Sequence, residues 1–194
     1  MHKILPSAAT GGKVLKRLLL LLALCSLGAI GYTKVMARLA PGTPTAAAAP
    51  TEQADLIAVS KADRQMHLLR DGKVIRSYRI AMGSNWDRGH KQAEGDERTP
   101  EGSYVIDWRN PRSMAHLSLH ISYPAPGDRQ TAQGAGRDPG GNIMIHGLPN
   151  GWGALGPVHH LIDWTDGCIA VTNAEMREIW SLVPNGTPIE IEGL

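Results

Sequence analysis

The chain has 194 residues, with 20 Lys and Arg against 18 Asp and Glu, and a net charge of +2 at pH 7. No Lys- or Arg-rich patch follows the N-terminal segment, so the charge pattern argues against a nucleic-acid-binding protein. Phenylalanine is absent, so Leu, Ile, Val, Met and the five Trp residues must supply the core.

Residues 1–39 have the pattern of an export signal or a membrane anchor. Basic residues, ending with Arg17, precede an uncharged apolar run at residues 18–32. This run suits the apolar region of a signal peptide and is shorter than the roughly 20 residues that comfortably span a bilayer. The basic flank predicts that the residues after it are exported. Residues 35–37 (Val-Met-Ala) resemble a cleavage site but have basic neighbours, so cleavage and retention both stay open.

The remainder divides into a linker and one domain. Residues 40–54 are rich in Ala, Pro and Thr, which predicts a disordered linker. Residues 55–194 have the length of an ordinary single domain with its own core.

This domain is predicted to be mainly β. Short apolar or alternating runs indicate strands. The dipeptide Asp71-Gly72 predicts a hairpin turn, and residues 124–141, with five Gly and three Pro, predict a loop. The predicted strands are residues 55–60, 66–70, 74–82, 103–108, 117–122, 142–146 and 189–192.

One helix is predicted immediately after the only cysteine of the domain. Residues 172–175 (Thr-Asn-Ala-Glu) form a capping box, and apolar residues follow at helical spacing. Residues 184–186 (Pro-Asn-Gly) end it.

That cysteine, Cys168, is the candidate nucleophile. It stands in residues 165–169 (Thr-Asp-Gly-Cys-Ile), whereas Cys25 lies in the apolar N-terminal segment. An unpaired thiol in an oxidising compartment is either buried and inert or used in chemistry. A nearby imidazole would take its proton, the following helix N-terminus would weakly stabilise the thiolate, and the amides around Gly167 would supply an oxyanion hole. A buried structural cysteine is the alternative.

His146 is the candidate base. It ends a predicted strand, with its side chain on the face opposite to the isoleucines on either side of Met144. A structural histidine at a strand end is the alternative. We expect His120, on the polar face of a strand, to be solvated. The other competitors are His116, His159 and His160, of which the last two would line a pocket.

The order of these motifs resembles the L,D-transpeptidase catalytic domain (YkuD) family, in which a histidine and a spacer precede Ser/Thr-His-Gly-Cys. Here His146-Gly147 precedes residues 165–168 (Thr-Asp-Gly-Cys). Other similar segments, in family order, are residues 55–83, 99–102 (Thr-Pro-Glu-Gly), 122–124 (Ser-Tyr-Pro) and 140–147.

The resemblance implies a β-sandwich-like domain, with one helix after the catalytic cysteine, acting in the periplasm on the stem peptides of peptidoglycan. It implies Cys168 as nucleophile, His146 as proton donor and acceptor, and Gly167 as oxyanion-hole backbone, with no metal or organic cofactor. The acceptor would be a second stem peptide, a lipoprotein lysine, a free D-amino acid or water. The implied substrate-binding residues are Gly147, Tyr123, Asp166, Thr165 and Asn173.

Asp166 stands where the family usually has a histidine. It would orient a histidine or bind a substrate ammonium, and capping of the local backbone is the alternative.

Two further classes of protein stay open. One is a metal-dependent peptidase that would use His146, His159 or His160 with Asp163 or Asp166, although no His-Glu-x-x-His spacing supports it. The other is a peptidoglycan-binding domain without activity.

Overall fold

The computed structural model describes residues 8–193. The strands are β1 (Leu56–Ser60), β2 (Gln65–Arg70), β3 (Lys73–Arg79), β4 (Gly102–Asn110), β5 (Ser118–Ile121), β6 (Met144–His146), β7 (Ile169–Ala170) and β8 (Pro188–Glu192). The helices are α1 (Ala8–Leu39), α2 (Pro126–Gly134) and α3 (Asn173–Leu182), with 3-10 segments at Trp86–Arg88 and Gly153–Leu161.

The eight strands form one mixed sheet in the order β3-β2-β1-β8-β4-β5-β6-β7. The β1–β8 and β6–β7 pairs are parallel, and the other neighbouring pairs are antiparallel. Beyond β3 the chain reaches the opposite edge of the sheet, where Ala81 bridges Ala170 and Gly83 bridges Thr165. This contact accompanies the curling of the sheet into a half-barrel. The β-rich fold with a helix after Cys168 is confirmed.

The period of two in the sequence defines the inner face of the sheet. Ile189 and Ile191 of β8 are buried, whereas Glu190 and Glu192 are exposed. One core cluster contains these isoleucines together with apolar residues of β1, β2, β5 and α3. The buried apolar side chains of α3, which begins five residues after Cys168, pack into this cluster.

Two local predictions are confirmed in detail. Asp71 and Gly72 have φ values of 49° and 70°, the left-handed conformations that a tight two-residue hairpin turn requires. At the start of α3, Thr172 Oγ1 accepts from Glu175 N at 3.2 Å, and the Glu175 carboxylate accepts from Thr172 N at 2.8 Å. These reciprocal bonds satisfy two backbone donors that a helix start leaves free.

The predicted loop at residues 124–141 contains a helix, so that prediction is wrong in part. Helix α2 begins where the Asp128 carboxylate accepts from Ala125 N at 2.8 Å. Ala132 is its one buried residue. The helix therefore has no apolar stripe that a sequence pattern would reveal.

Residues 40–54, for which the sequence predicts a disordered linker, form neither helix nor strand, and two of their amides are bound to α3. Ala48 N donates to Ser181 O at 2.9 Å, and Ala54 N donates to Leu182 O at 2.9 Å. The C-terminal turn of α3 leaves these carbonyls free, and the segment satisfies them.

Within the described residues, one helix is long and apolar enough to cross a membrane. It spans Gly12–Leu39 with a hydropathy of 2.0, a test that a signal sequence also passes. Its C-terminal end contacts the domain, since Tyr32 Oη donates to Gly151 O at 3.1 Å and Trp152 Nε1 donates to Thr33 Oγ1 at 3.0 Å.

Candidate active site

The parallel pairing of β6 with β7 places His146 and Cys168 on one face of the sheet. Ile145 pairs with Ile169, and His146 pairs with Ala170. Because side chains alternate along a strand, Cys168 shares a face with Ala170 two residues on, and hence with His146. Residues 22 positions apart in sequence therefore become neighbours at one edge of the sheet.

The imidazole of His146 is fixed through one nitrogen. Its Nδ1 lies 2.6 Å from Gly147 O, and a carbonyl can only accept, so Nδ1 carries the proton and Nε2 of the neutral ring is the free acceptor. The Trp164 ring packs edge-on at 5.7 Å between centroids. Burial lowers the pKa of His146, opposed by the bond to Gly147. The ring is therefore held neutral and able to accept a proton.

The thiol of Cys168 is half-buried. Its Sγ donates to Asn142 O at 3.7 Å. Burial raises the pKa of the thiol, opposed by a hydrogen bond from the Met144 backbone, and the negative charge of Asp166 raises it further. At neutral pH the pair therefore consists of a neutral thiol and a neutral imidazole. Nucleophilic attack requires the proton to be redirected from Asn142 O to His146.

The turn before the cysteine is built around Thr165 and Gly167. Thr165 Oγ1 donates to Cys168 O at 2.7 Å and accepts from Gly167 N at 3.3 Å. Gly167 has φ +125°, and a Cβ there would lie 2.5 Å from Arg98 O. Only glycine fits this position without strain. The amide of Gly167, a predicted oxyanion donor, is thus bound to Thr165 in this structure through a long bond.

A second glycine allows the opposite sheet edge to approach this turn. A Cβ on Gly83 would lie 3.0 Å from Gly167 Cα and would collide with Glu97 O. Gly83 N donates to Thr99 Oγ1 at 3.1 Å. The Thr-Pro-Glu-Gly segment therefore supports the cysteine turn from behind.

A polar cavity of about 310 Å³ opens beside the turn. Asp166 and Glu94 are exposed on its wall, and the half-buried Glu97 also lines it. Lys91, also on the wall, is buried and paired with Asp96 at 2.8 Å. The free charges facing the cavity are therefore carboxylates, which suit a cationic group.

The remaining implied binding residues are held inside the structure. Tyr123 is buried, and its hydroxyl donates to Pro139 O at 3.0 Å, so it supports the cavity wall. Asn173 Oδ1 accepts from Leu148 N at 2.8 Å. A Cβ on Gly147 would lie 2.7 Å from the same Asn173 oxygen. These side chains shape the site and do not line the polar cavity.

The competing histidines have other surroundings. His120 Nδ1 lies 2.6 Å from the Asp107 carboxylate, and its ring stacks on Trp108, so it is paired rather than freely solvated. His159 is buried and lines an apolar cavity with Trp164. Burial lowers the pKa of both His116 and His159. In the part of the chain that the structure describes, no group of three or more His, Cys, Asp or Glu is arranged to hold a metal ion.

Three contacts of the pair were not predicted. They are the edge-on packing of Trp164 on His146, the carbonyl of Asn142 at the sulfur, and the carbonyl of Gly147 at Nδ1. The packing of Trp164 could have been predicted, because this tryptophan directly precedes Thr165 in the motif that contains the cysteine. The contacts of the two backbone carbonyls could not be predicted from side-chain identity, since every residue has a backbone carbonyl.

Comparison with known proteins gives the family. The model of the L,D-transpeptidase catalytic domain (YkuD) matches residues 54–191. No curated protein matches the chain.

Two solved structures show the same fold. The helical cell shape determining protein Pgp2 from Campylobacter jejuni is 21% identical, with 83% of this chain and 55% of that chain covered and a TM-score of 0.54. A protein from Bdellovibrio bacteriovorus is 21% identical, with 79% and 52% covered and a TM-score of 0.50. The chain thus spans about half the length of each. The family match begins two residues before β1, ends within β8 and includes His146 and Cys168. The chain therefore belongs to the L,D-transpeptidase catalytic domain (YkuD) family.

Proposed function

We propose that the chain is a cysteine-dependent L,D-transpeptidase acting on peptidoglycan stem tetrapeptides. The observation that supports this proposal is the pairing of His146 of β6 with Ala170 of β7, two residues after Cys168, with His146 Nδ1 bound to Gly147 O and Nε2 available as an acceptor. Family membership supports the substrate class.

The first half-reaction forms a thioester. His146 Nε2 takes the thiol proton as Sγ attacks the carbonyl between diaminopimelate and the terminal D-alanine. The oxyanion is held by the Cys168 amide and by the Gly167 amide once it turns from Thr165. The carbon–nitrogen bond then breaks, and the imidazolium returns the proton to the leaving D-alanine amine.

The second half-reaction transfers the acyl group. An acceptor amine attacks the thioester, His146 takes a proton from it, and the sulfur leaves and is reprotonated. The acceptor is an amine of a second stem peptide, a lipoprotein lysine or a free D-amino acid. Water as acceptor makes the same site a carboxypeptidase or amidase.

Asp166 is proposed to bind an ammonium group of the stem peptide. It lies on the polar cavity beside the nucleophile, and two other carboxylates share that wall. Diaminopimelate, the residue that supplies the scissile carbonyl, carries a free amine at the end of its side chain, so its charge would complement this wall.

We also propose that the domain acts on the exported side of the inner membrane. The apolar run of helix α1, with Lys13, Lys16 and Arg17 on its N-terminal side, supports this location as a signal or an anchor.

The test is the full chain with a disaccharide-tetrapeptide muropeptide, with the products weighed by mass spectrometry. We expect a crosslinked dimer with loss of D-alanine, absent with Cys168→Ala and retained with Cys25→Ala, the matched control. Tripeptide alone would assign water as the acceptor. Turnover by Cys168→Ala would contradict the nucleophile, and binding without turnover by the unaltered chain would favour a wall-binding domain.

A further inference from the structure

We propose that the loop at residues 152–162 inserts its apolar side chains into the membrane surface beside α1, so that the phospholipid bilayer is the partner of this loop. The inference goes beyond the transpeptidase reaction and rests on α1 being retained as an anchor. We call residues 152–162 the membrane loop.

The membrane loop exposes an unusual amount of apolar surface. Leu155, Val158, Leu161 and Ile162 are 47%, 50%, 68% and 70% exposed. Residues 139–162 contain no Asp, Glu, Lys or Arg, so no charged side chain of this segment opposes burial in lipid. A contiguous exposed apolar patch on a folded domain marks an interaction surface.

The patch is continuous with the anchor helix. Trp152 Nε1 donates to Thr33 Oγ1 at 3.0 Å, and the Tyr32 and Trp152 rings meet edge to face with centroids 5.6 Å apart. The uncharged stretch of α1 ends at the next residue, Lys34, so these contacts lie where the helix leaves the hydrocarbon. Tyr and Trp are enriched at that depth of a membrane.

A largely apolar cavity lies between the helix and the membrane loop. It encloses about 440 Å³ and is walled by Thr33 of α1 and by Leu155, Val158 and Ile162, among other largely apolar residues. Lipid tails are the apolar material that surrounds α1 at this level. Apolar faces of interfacial segments sink about 5–10 Å into the headgroup and acyl boundary.

Membrane insertion of this loop would fix where the active site works. Trp164 lines the same cavity and packs on His146 at 5.7 Å. The base is therefore one side chain away from the proposed lipid contact. The polar cavity would face stem peptides close to the membrane surface.

The test compares two valines of similar exposure. Val158 in the membrane loop is 50% exposed, and Val74 on the edge strand β3 is 55% exposed. Full chains carrying Cys25→Ser and Cys168→Ser, with Val158→Cys or Val74→Cys, are labelled with an environment-sensitive fluorophore. They are then reconstituted in phosphatidylethanolamine and phosphatidylglycerol vesicles. Ile162→Cys gives a second site on the loop.

We expect quenchers attached to lipid acyl chains to reduce the signal at positions 158 and 162 several-fold more than at 74. Aqueous iodide should do the reverse. Equal iodide quenching at all three positions would overturn the proposal. So would shielding at 158 that depends on protein concentration, which would indicate a second copy, or release of the labelled chain from the vesicles, which would show that α1 is not an anchor. The nucleophile is absent from these chains, so failure of the proposed reaction would leave the result unaffected.

Discussion

Asp166 affects the nucleophile and the substrate in opposite ways. Its charge raises the pKa of the Cys168 thiol, while its carboxylate lies on the cavity proposed to bind an ammonium. In Asp166→Asn the thiol pKa should fall, so iodoacetamide should alkylate Cys168 about two- to fivefold faster at pH 7.5, the scale expected for one exposed charge. The kcat/KM for tetrapeptide should fall because the ammonium loses its partner.

Glu94→Gln is the matched control for this pair of effects. Glu94 shares the cavity wall but is not among the groups that shift the thiol pKa. It should weaken substrate binding and leave the alkylation rate unchanged. A slower alkylation in Asp166→Asn would contradict the electrostatic role of Asp166.

Thr165 fixes the orientation of the peptide that carries the nucleophile. It is buried, and its hydroxyl bonds both Cys168 O and Gly167 N. Thr165→Val keeps the shape and removes both bonds, so kcat should fall about 10- to 100-fold through misplacement of the thiol, with little change in KM. Thr165→Ser retains the hydroxyl and should restore most of the rate. Equal rates for the Val and Ser variants in steady-state assays would show that the hydroxyl is not needed.

At the scale of elements, a buried ion pair connects β1 to the segment behind the cysteine turn. Lys61 is fully buried, 2.6 Å from Glu101 Oε1 and 3.2 Å from Gly89 O. Lys61→Met should lower the free energy of unfolding by about 3 kcal/mol, because it leaves a partly buried carboxylate without its cation. Denaturant unfolding measures the change.

Two further variants separate the pair from its surroundings. Adding Glu101→Leu to Lys61→Met removes the uncompensated charge and should recover much of the loss. Lys73→Met, at an exposed position on β3, should change stability by less than about 0.5 kcal/mol. A double variant as unstable as the single one would show that the ion pair is not the source.

The elements divide into those with a local signal and those without one. The Asp71-Gly72 turn, the alternating strands and the capping box at Thr172 were predicted because propensity, period and cap act within a few residues. Helix α2 was missed because it buries one alanine. The burial of Lys61 was not predicted, because a lysine in a polar run is normally exposed to solvent and its partner, Glu101, comes 40 residues later.

The site shows the same division. The two side chains of the proposed pair were predicted, since a lone cysteine behind an export-type N-terminal segment and a strand-end histidine are chemically distinctive. Their approach depends on β7 pairing with β6 and on residues 81–83 closing against the other edge. Pairing at such sequence separation leaves no periodic trace, so only the resemblance to a family predicted it.

At the scale of the whole molecule, buried ionisable groups limit stability on both sides of neutral pH. Burial lowers the pKa of His116, His146 and His159 in the folded chain. Between these values and about 6.5, the unfolded chain binds protons that the folded chain does not, so stability rises with pH in that window. Burial raises the pKa of Cys168 and Tyr78, so above about pH 9 the unfolded chain ionises first and stability falls again.

The full chain in detergent should therefore be most stable between about pH 6.5 and 9. Below that range, each histidine protonated only in the unfolded chain contributes up to about 1.4 kcal/mol per pH unit. Urea unfolding at pH 5, 7.5 and 9.5 measures the curve. His159→Gln removes a buried titrating ring. The acid slope should decrease by about one proton in this variant, because only a proton excluded by the folded state enters the linkage. An unchanged slope in His159→Gln would contradict the burial argument for that ring.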